Sequence, residues 1–121
     1  DTFVEISLDN QYMWYYVDGK LLVETPVVTG NIAAGDDTRR GCFRIASMTT
    51  DTYLVGPTWN DHVEYWMPFD EQIGLHDSSW RTEYGGDIYL TGGSHGCVNT
   101  PLDAIATIYN NITVGTLVVV Y

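Results

Sequence analysis

Val4, Ile6 and Leu8 alternate with Phe3, Glu5 and Ser7 at the start of the chain. A period of two marks a half-buried strand. Asp9-Asn10 interrupts it, and Tyr12 to Val17 resumes as an aromatic run of strand character. Asp18-Gly19 predicts a two-residue hairpin, because both turn positions favour positive φ. Lys20 to Val28 returns as a strand, with Pro26 arguing for an edge or a bulge. From 29 to 41 the apolar period fails, Gly, Asn and Asp dominate, and a loop is expected. Cys42 to Ala46 reads as a short strand, Tyr53 to Val55 as a weak one, and His62 to Met67 as an aromatic strand stopped by Pro68. Ile73 to His76 reads as a short buried strand with a polar tip. A loop from Ser78 to Asp87 follows, then a short strand at Ile88 to Leu90 and a turn at Thr91-Gly92-Gly93.

One helix is predicted, from Pro101 to Asn110. Thr100 suits its N-cap, Pro101 its first position, and Asp103 completes a pattern like a capping box. Leu102, Ile105, Ala106 and Tyr109 form one apolar stripe at helical spacing. Thr116 to Tyr121 closes the chain as a strand apolar on both faces, hence central. The expected fold is mostly β with one main helix, built as a sandwich or open barrel.

Composition narrows the picture. The 121 residues suit one domain, and four Trp, nine Tyr and three Phe supply bulky core material. A chain of this length buries roughly two-thirds of its unfolded surface, so neither a disulfide nor a metal is needed to hold it. The formal net charge of −11 argues against a nucleic-acid partner, which would meet repulsion instead of counterion release. No apolar stretch approaches the roughly 20 residues of a membrane span. The chain starts at Asp1 with neither an initiator Met nor a signal pattern, so a mature form or a domain excised from a longer chain is expected. Of the two cysteines, Cys42 reads as a small core residue of a strand and Cys97 as a free nucleophile; a disulfide between them is the rival.

Cys97 is expected just ahead of the helix, whose N-terminal partial charge favours thiolate. Gly92, Gly93 and Gly96 allow tight turns whose N–H groups can form an oxyanion hole. A thiol nucleophile needs a base. His95 lies two residues from Cys97; His76 lies at the end of a buried strand, a rigid place for a catalytic group; His62 lacks such support. The carboxylate or carbonyl of Asp77 can orient the imidazole. Blander roles compete: His95 as a loop holder, His76 as a satisfied core histidine, Trp80 and Tyr84 as loop packing, Asn99 as a turn former. Zinc on His76, His95 and Cys97 is chemically allowed, but no CxxC or HExxH spacing supports it.

The segment Ser94-His95-Gly96-Cys97-Val98-Asn99, with His76 upstream, resembles the signature of the L,D-transpeptidases, the YkuD-like family. The resemblance extends through Trp14 to Lys20, Pro26 to Gly30, Tyr65 to Phe69, Gly74 to Asp77, Trp80, Tyr84 to Gly86 and Val114 to Val118, and is strongest toward enzymes of Gram-positive bacteria. It implies a β-sandwich or open barrel of mixed sheets, with the helix after the cysteine loop. It also implies that Cys97 is the nucleophile and His76 its base, held by Asp77. His95, Gly96 and Cys97 would lend backbone N–H groups to the oxyanion. Ser94 and Asn99 would fix the loop or contact substrate, and Trp80, with Met67 and Tyr84 as weaker candidates, would line the substrate pocket. The family's Thr-Pro-x-Gly-x-Phe-like segment departs here: Asp36 to Phe43 keeps Gly41 and Phe43 but lacks the proline. A more mobile loop or altered substrate contacts are expected there.

The activity so implied is acyl transfer on peptidoglycan stem peptides, without cofactor or metal, outside the cell or in its wall. D-Alanine would leave a tetrapeptide stem, 3→3 cross-links would form, and carbapenem β-lactams would acylate Cys97. An L,D-carboxypeptidase, which passes the same acyl-enzyme to water, is the first rival. A non-catalytic wall-binding module and a zinc enzyme are the others.

Overall fold

The computed structural model describes all residues, Asp1–Tyr121. Nine strands and two helices follow in order: β1 (Phe3–Ser7), β2 (Tyr12–Val17), β3 (Lys20–Pro26), β4 (Gly41–Arg44), β5 (Thr49–Val55), β6 (Asn60–Asp70), β7 (Ile73–Asp77), α1 (Ile88–Gly92), β8 (Val98–Thr100), α2 (Leu102–Tyr109) and β9 (Leu117–Val120). They build a five-stranded sheet, β3-β2-β1-β9-β4, and a four-stranded sheet, β5-β6-β7-β8. Each holds one parallel pair, β1 with β9 and β7 with β8, and is otherwise antiparallel. The mostly β fold of mixed sheets is therefore the one expected.

Pattern and burial agree in the first sheet. Val4 and Ile6 of β1, Met13 and Tyr15 of β2, and Val118 and Val120 of β9 point into one core with Met67, Leu75 and Val98 of the other sheet. The last strand is central, between β1 and β4, as its apolar run predicts. Asp18 and Gly19 turn the β2–β3 hairpin with φ of 50° and 79°. β3 is an edge strand and ends at Pro26 instead of Val28. The chain then changes sheets: Val28 bridges Asn99, and Gly30 bridges Ser94. This crossing carries residues 27–30 alongside the segment that holds Cys97.

Several expected elements are corrected. Pro68 does not stop β6, which runs to Asp70. The Pro68 carbonyl accepts the Ala46 N–H, so its nitrogen faces the same side, beyond the start of β5, where no ladder bond is forfeited. Ile88 to Leu90 forms the start of α1, despite residues that favour strands; the Ile32 and Ala33 N–H groups dock on the Tyr89 and Leu90 carbonyls. Cys42 is exposed on β4, not buried, because alternation turns Phe43 inward beside Phe69, with ring centroids 5.4 Å apart. Thr100 belongs to β8 and donates to the Val98 carbonyl instead of capping α2, which Pro101 precedes. The buried stripe of α2 is Ile105 and Ile108, while Leu102 is 52% exposed. Burying those two side chains stabilises the helix by about 1.5–3 kcal/mol each.

Candidate active site

β7 and β8 run parallel, with Leu75 paired to Val98 and His76 to Asn99. His76 therefore lies near the end of one strand, and Cys97 lies just before the start of its neighbour. Both line one cavity of about 670 Å³ whose wall includes Trp59, Trp66, Trp80 and Arg81. The two residues expected to react thus open on the same space, although 21 positions separate them in the chain.

The imidazole of His76 is 4% exposed. Its Nδ1 lies 2.6 Å from the Asp77 carbonyl oxygen. A carbonyl can only accept, so Nδ1 carries the proton, and in the neutral ring Nε2 keeps its lone pair. Burial lowers the His76 pKa, and the field of Arg81 adds to it; the Asp77 bond and the charges of Asp77 and Asp61 oppose the shift. Asp77 orients the ring through its backbone. Its carboxylate turns away and accepts the Glu64 N–H at 2.9 and 3.0 Å and the Tyr65 N–H at 2.8 Å, locking the end of β7 to β6.

The thiol of Cys97 donates to the Gln72 carbonyl at 3.4 Å. Burial pushes its pKa up to about 11, against a smaller opposing effect from the Gly74 backbone. The expected activation by a helix terminus is absent for a geometric reason. Three strand residues and Pro101 separate Cys97 from the start of α2, and the helix field falls off within its first turn. At neutral pH the resting pair is therefore thiol and neutral imidazole, not an ion pair. Cys42 and Cys97 are both free, which removes the disulfide alternative.

The loop around Cys97 is held from two sides. Within it, the buried Ser94 hydroxyl donates to the Cys97 carbonyl and accepts the Gly96 N–H at 3.1 Å. From outside, buried Thr38 donates to the Gly96 carbonyl at 2.6 Å and accepts the Gly30 N–H at 3.0 Å. Gly96 has φ of 124°, and a Cβ there would fall 2.5 Å from Ile73 Cδ1. Its N–H is thus already engaged, while the N–H groups of His95 and Cys97 meet no acceptor in the protein. Those two remain for an oxyanion.

The segment that lacks the proline is anchored, not loose. Thr38 makes the two bonds above, and Arg39 forms a two-pronged pair with buried Asp70, its Nε 3.0 Å from Oδ2. Thr38→Val is expected to strand two buried backbone groups and to destabilise the domain by about 1–3 kcal/mol for each, read from urea denaturation midpoints. No loss of stability would show that the loop finds its hydrogen bonds elsewhere.

The remaining sequence-predicted residues divide. Trp80 lines the cavity, 46% exposed, its ring centroid 5.9 Å from that of His76. Asn99 lines it too, 1% exposed, with its side-chain oxygen lacking a partner. His95 is exposed, lines the same cavity and stacks on Trp59 at 3.7 Å. Met67 is a correction: it is fully buried in the core and cannot line a pocket. Tyr84 is another, since its hydroxyl donates to the Ser78 carbonyl at 3.1 Å and accepts from Ser78 Oγ, bracing the loop behind Trp80. The cavity takes Trp66 in place of Met67. Strand alternation carries the signal: if Met67 faces the core, Trp66 faces the other way, and it pairs in register with His76. Trp59 and Arg81 carried no such signal, because the β5–β6 turn and the loop after β7 bring them in, and Asp61 joins them from the first residues of β6.

Comparison with known proteins follows from this geometry. The YkuD family model, L,D-transpeptidase catalytic domain, matches residues 1–120. A cysteine-to-serine mutant of Enterococcus faecium L,D-transpeptidase is similar with a TM-score of 0.95 at 41% identity, over 100% of this chain and 50% of that one. The E. faecium catalytic domain acylated by ertapenem gives 0.88 at 40% identity, over 100% and 97%. An L,D-transpeptidase from Mycobacterium smegmatis, at 21% identity and a TM-score of 0.82 over 99% and 58%, shares the fold. No curated protein sequence matches. The chain spans about half the length of the longer E. faecium structures.

Proposed function

Because this chain belongs to the YkuD family of L,D-transpeptidase catalytic domains, a family of cysteine-dependent enzymes, we propose that it transfers acyl groups between peptidoglycan stem peptides. The observation that carries this reading is the shared cavity of Cys97 and His76, with Nδ1 of the ring committed to a backbone carbonyl and Nε2 left as the base.

The chemistry follows from the two protonation states. Substrate draws the thiol away from the Gln72 carbonyl, and Nε2 of His76 takes its proton as Sγ attacks the amide carbonyl between the third stem residue and terminal D-alanine. Negative charge grows on the carbonyl oxygen, within reach of the His95 and Cys97 N–H groups. The C–N bond then breaks, imidazolium returns the proton to the departing amine, and D-alanine leaves a thioester on Cys97. An amine of a neighbouring stem attacks this thioester. His76 takes the amine's proton, a new amide forms, and the proton passes back to sulfur.

We place this work outside the cytoplasmic membrane, where stem peptides are found, with the domain forming part of a longer chain. β-Lactams of the ertapenem class would open on the same thiol, as the acylated E. faecium domain supports. The test is intact mass after incubation with a carbapenem, followed by peptide mapping. One adduct per chain, mapped to Cys97, is expected; an unmodified protein, or an adduct on Cys42, would sink the proposal.

A further inference from the structure

Sixteen acidic residues surround only five basic ones in this chain. Arg39 pairs with Asp70, Arg40 with Asp9, Arg44 donates to the Gly115 carbonyl at an exposed position, and Lys20 is exposed. Arg81 is different. It lines the catalytic cavity, and no carboxylate pairs with it. One terminal nitrogen, Nη2, donates to the Gly92 carbonyl at 2.9 Å, which fixes the guanidinium plane. Nε is buried and has no acceptor at all. Burial lowers the Arg81 pKa, as it does for a cation left uncompensated. A buried polar group without a partner costs stability, and a half-buried cation beside a reactive cavity fits a ligand that supplies the missing anion.

Resting on the proposed acyl transfer, we propose that Arg81 anchors the free carboxylate of the D-residue that leaves the donor stem. The chemistry of that leaving group selects this anion over others. Its nitrogen must receive a proton from His76, and its carboxylate sits one carbon beyond that nitrogen. Arg81 and His76 line the same cavity. Amine at the imidazole and carboxylate at the guanidinium is thus a two-point fit for a terminal D-amino acid. An acceptor amine whose own carbon bears no free carboxylate cannot make the same two-point contact. A donor one residue longer presents a neutral amide at the same place, so Arg81 would select tetrapeptide over pentapeptide stems. Arg suits the task better than Lys, because its planar fork meets a carboxylate through two N–H groups.

The test uses four synthetic substrates: tetrapeptide donors ending in a free carboxylate or a carboxamide, and acceptors with free or amidated carboxyl groups. Wild type should lose roughly 10- to 100-fold in kcat/KM on the carboxamide donor and nothing on the amidated acceptor. R81Q should be slow on the acid donor and almost indifferent between the two, and R81K should recover part of the preference. Equal rates of wild type on both donors, discrimination that follows the acceptor instead, or an undiminished preference in R81Q would each overturn the proposal. If R81Q fails to melt cooperatively, R81K takes its place, and a preference there as large as that of wild type would overturn the proposal. A wild type that forms its carbapenem adduct yet ignores the donor carboxylate refutes the role of Arg81 only. One that neither reacts with carbapenem nor turns over any donor refutes acyl transfer itself.

Discussion

Cys97→Ala is expected to fold normally, to take no carbapenem adduct, and to lose donor turnover by more than about 10⁴-fold, measured as D-alanine release. Normal folding follows from how little the sulfur does for the fold. It donates only a weak 3.4 Å contact to the Gln72 carbonyl and meets the Gly74 backbone, while the loop is held by Ser94 and Thr38. A melting temperature within a few degrees of wild type would show this. The loss of chemistry follows from the absence of any substitute. His95 stacks on Trp59, and the Ser94 hydroxyl is committed to the Cys97 carbonyl, so neither is free to attack. Cys97→Ser is expected to fall almost as far, by about 10³-fold or more, because an alkoxide is harder to form than a thiolate. Retained acylation in Cys97→Ala, with the label elsewhere, would move the nucleophile and undo the proposed mechanism.

Sequence showed the sheet well where one face of a strand is wet and the other dry. β1, β2 and the Asp18-Gly19 turn, together with the central place of β9, follow from alternation, turn chemistry and a doubly apolar run. It failed where tertiary contacts overrule local preference. Nothing local says that Ile88 to Leu90 will coil into α1, since loop 29–41 accepts it only in the folded chain. The site was half legible for the same reason. Cys97 and His76 sit in a motif whose residue types betray chemistry. Met67 and Trp66, adjacent on a strand, present opposite faces, and choosing the wrong one by a single position exchanges a core residue for a cavity wall. The departure from the proline pattern was visible, but not its remedy, because Asp70 meets Arg39 from 31 positions away.

Replacing His76 should change the shape of the pH dependence as well as the rate. In wild type, burial holds the ring uncharged and the thiol protonated, with a thiol pKa of about 11. At pH 7 the thiol is therefore four units below its pKa, and about one molecule in 10⁴ is ionised. Uncatalysed attack by that fraction is slow, whereas proton transfer to Nε2 during attack avoids the need for free thiolate. The wild-type acylation rate with a carbapenem should accordingly be flat from roughly pH 7 to 9 and fall only in acid, as His76 gains a proton below its ordinary value. In H76Q the ring is gone and hydroxide must ionise the thiol. The rate should drop about 10²- to 10⁴-fold at pH 7 and then climb tenfold per pH unit toward about 11. The two curves should converge at high pH. If H76Q instead keeps a flat profile near the wild-type rate, another group takes the proton and His76 is only a packed ring between Trp66 and Trp80. If wild type shows a rising limb near pH 8, the sulfur titrates as an ordinary thiol, and the neutral pair on which the mechanism turns does not exist in solution.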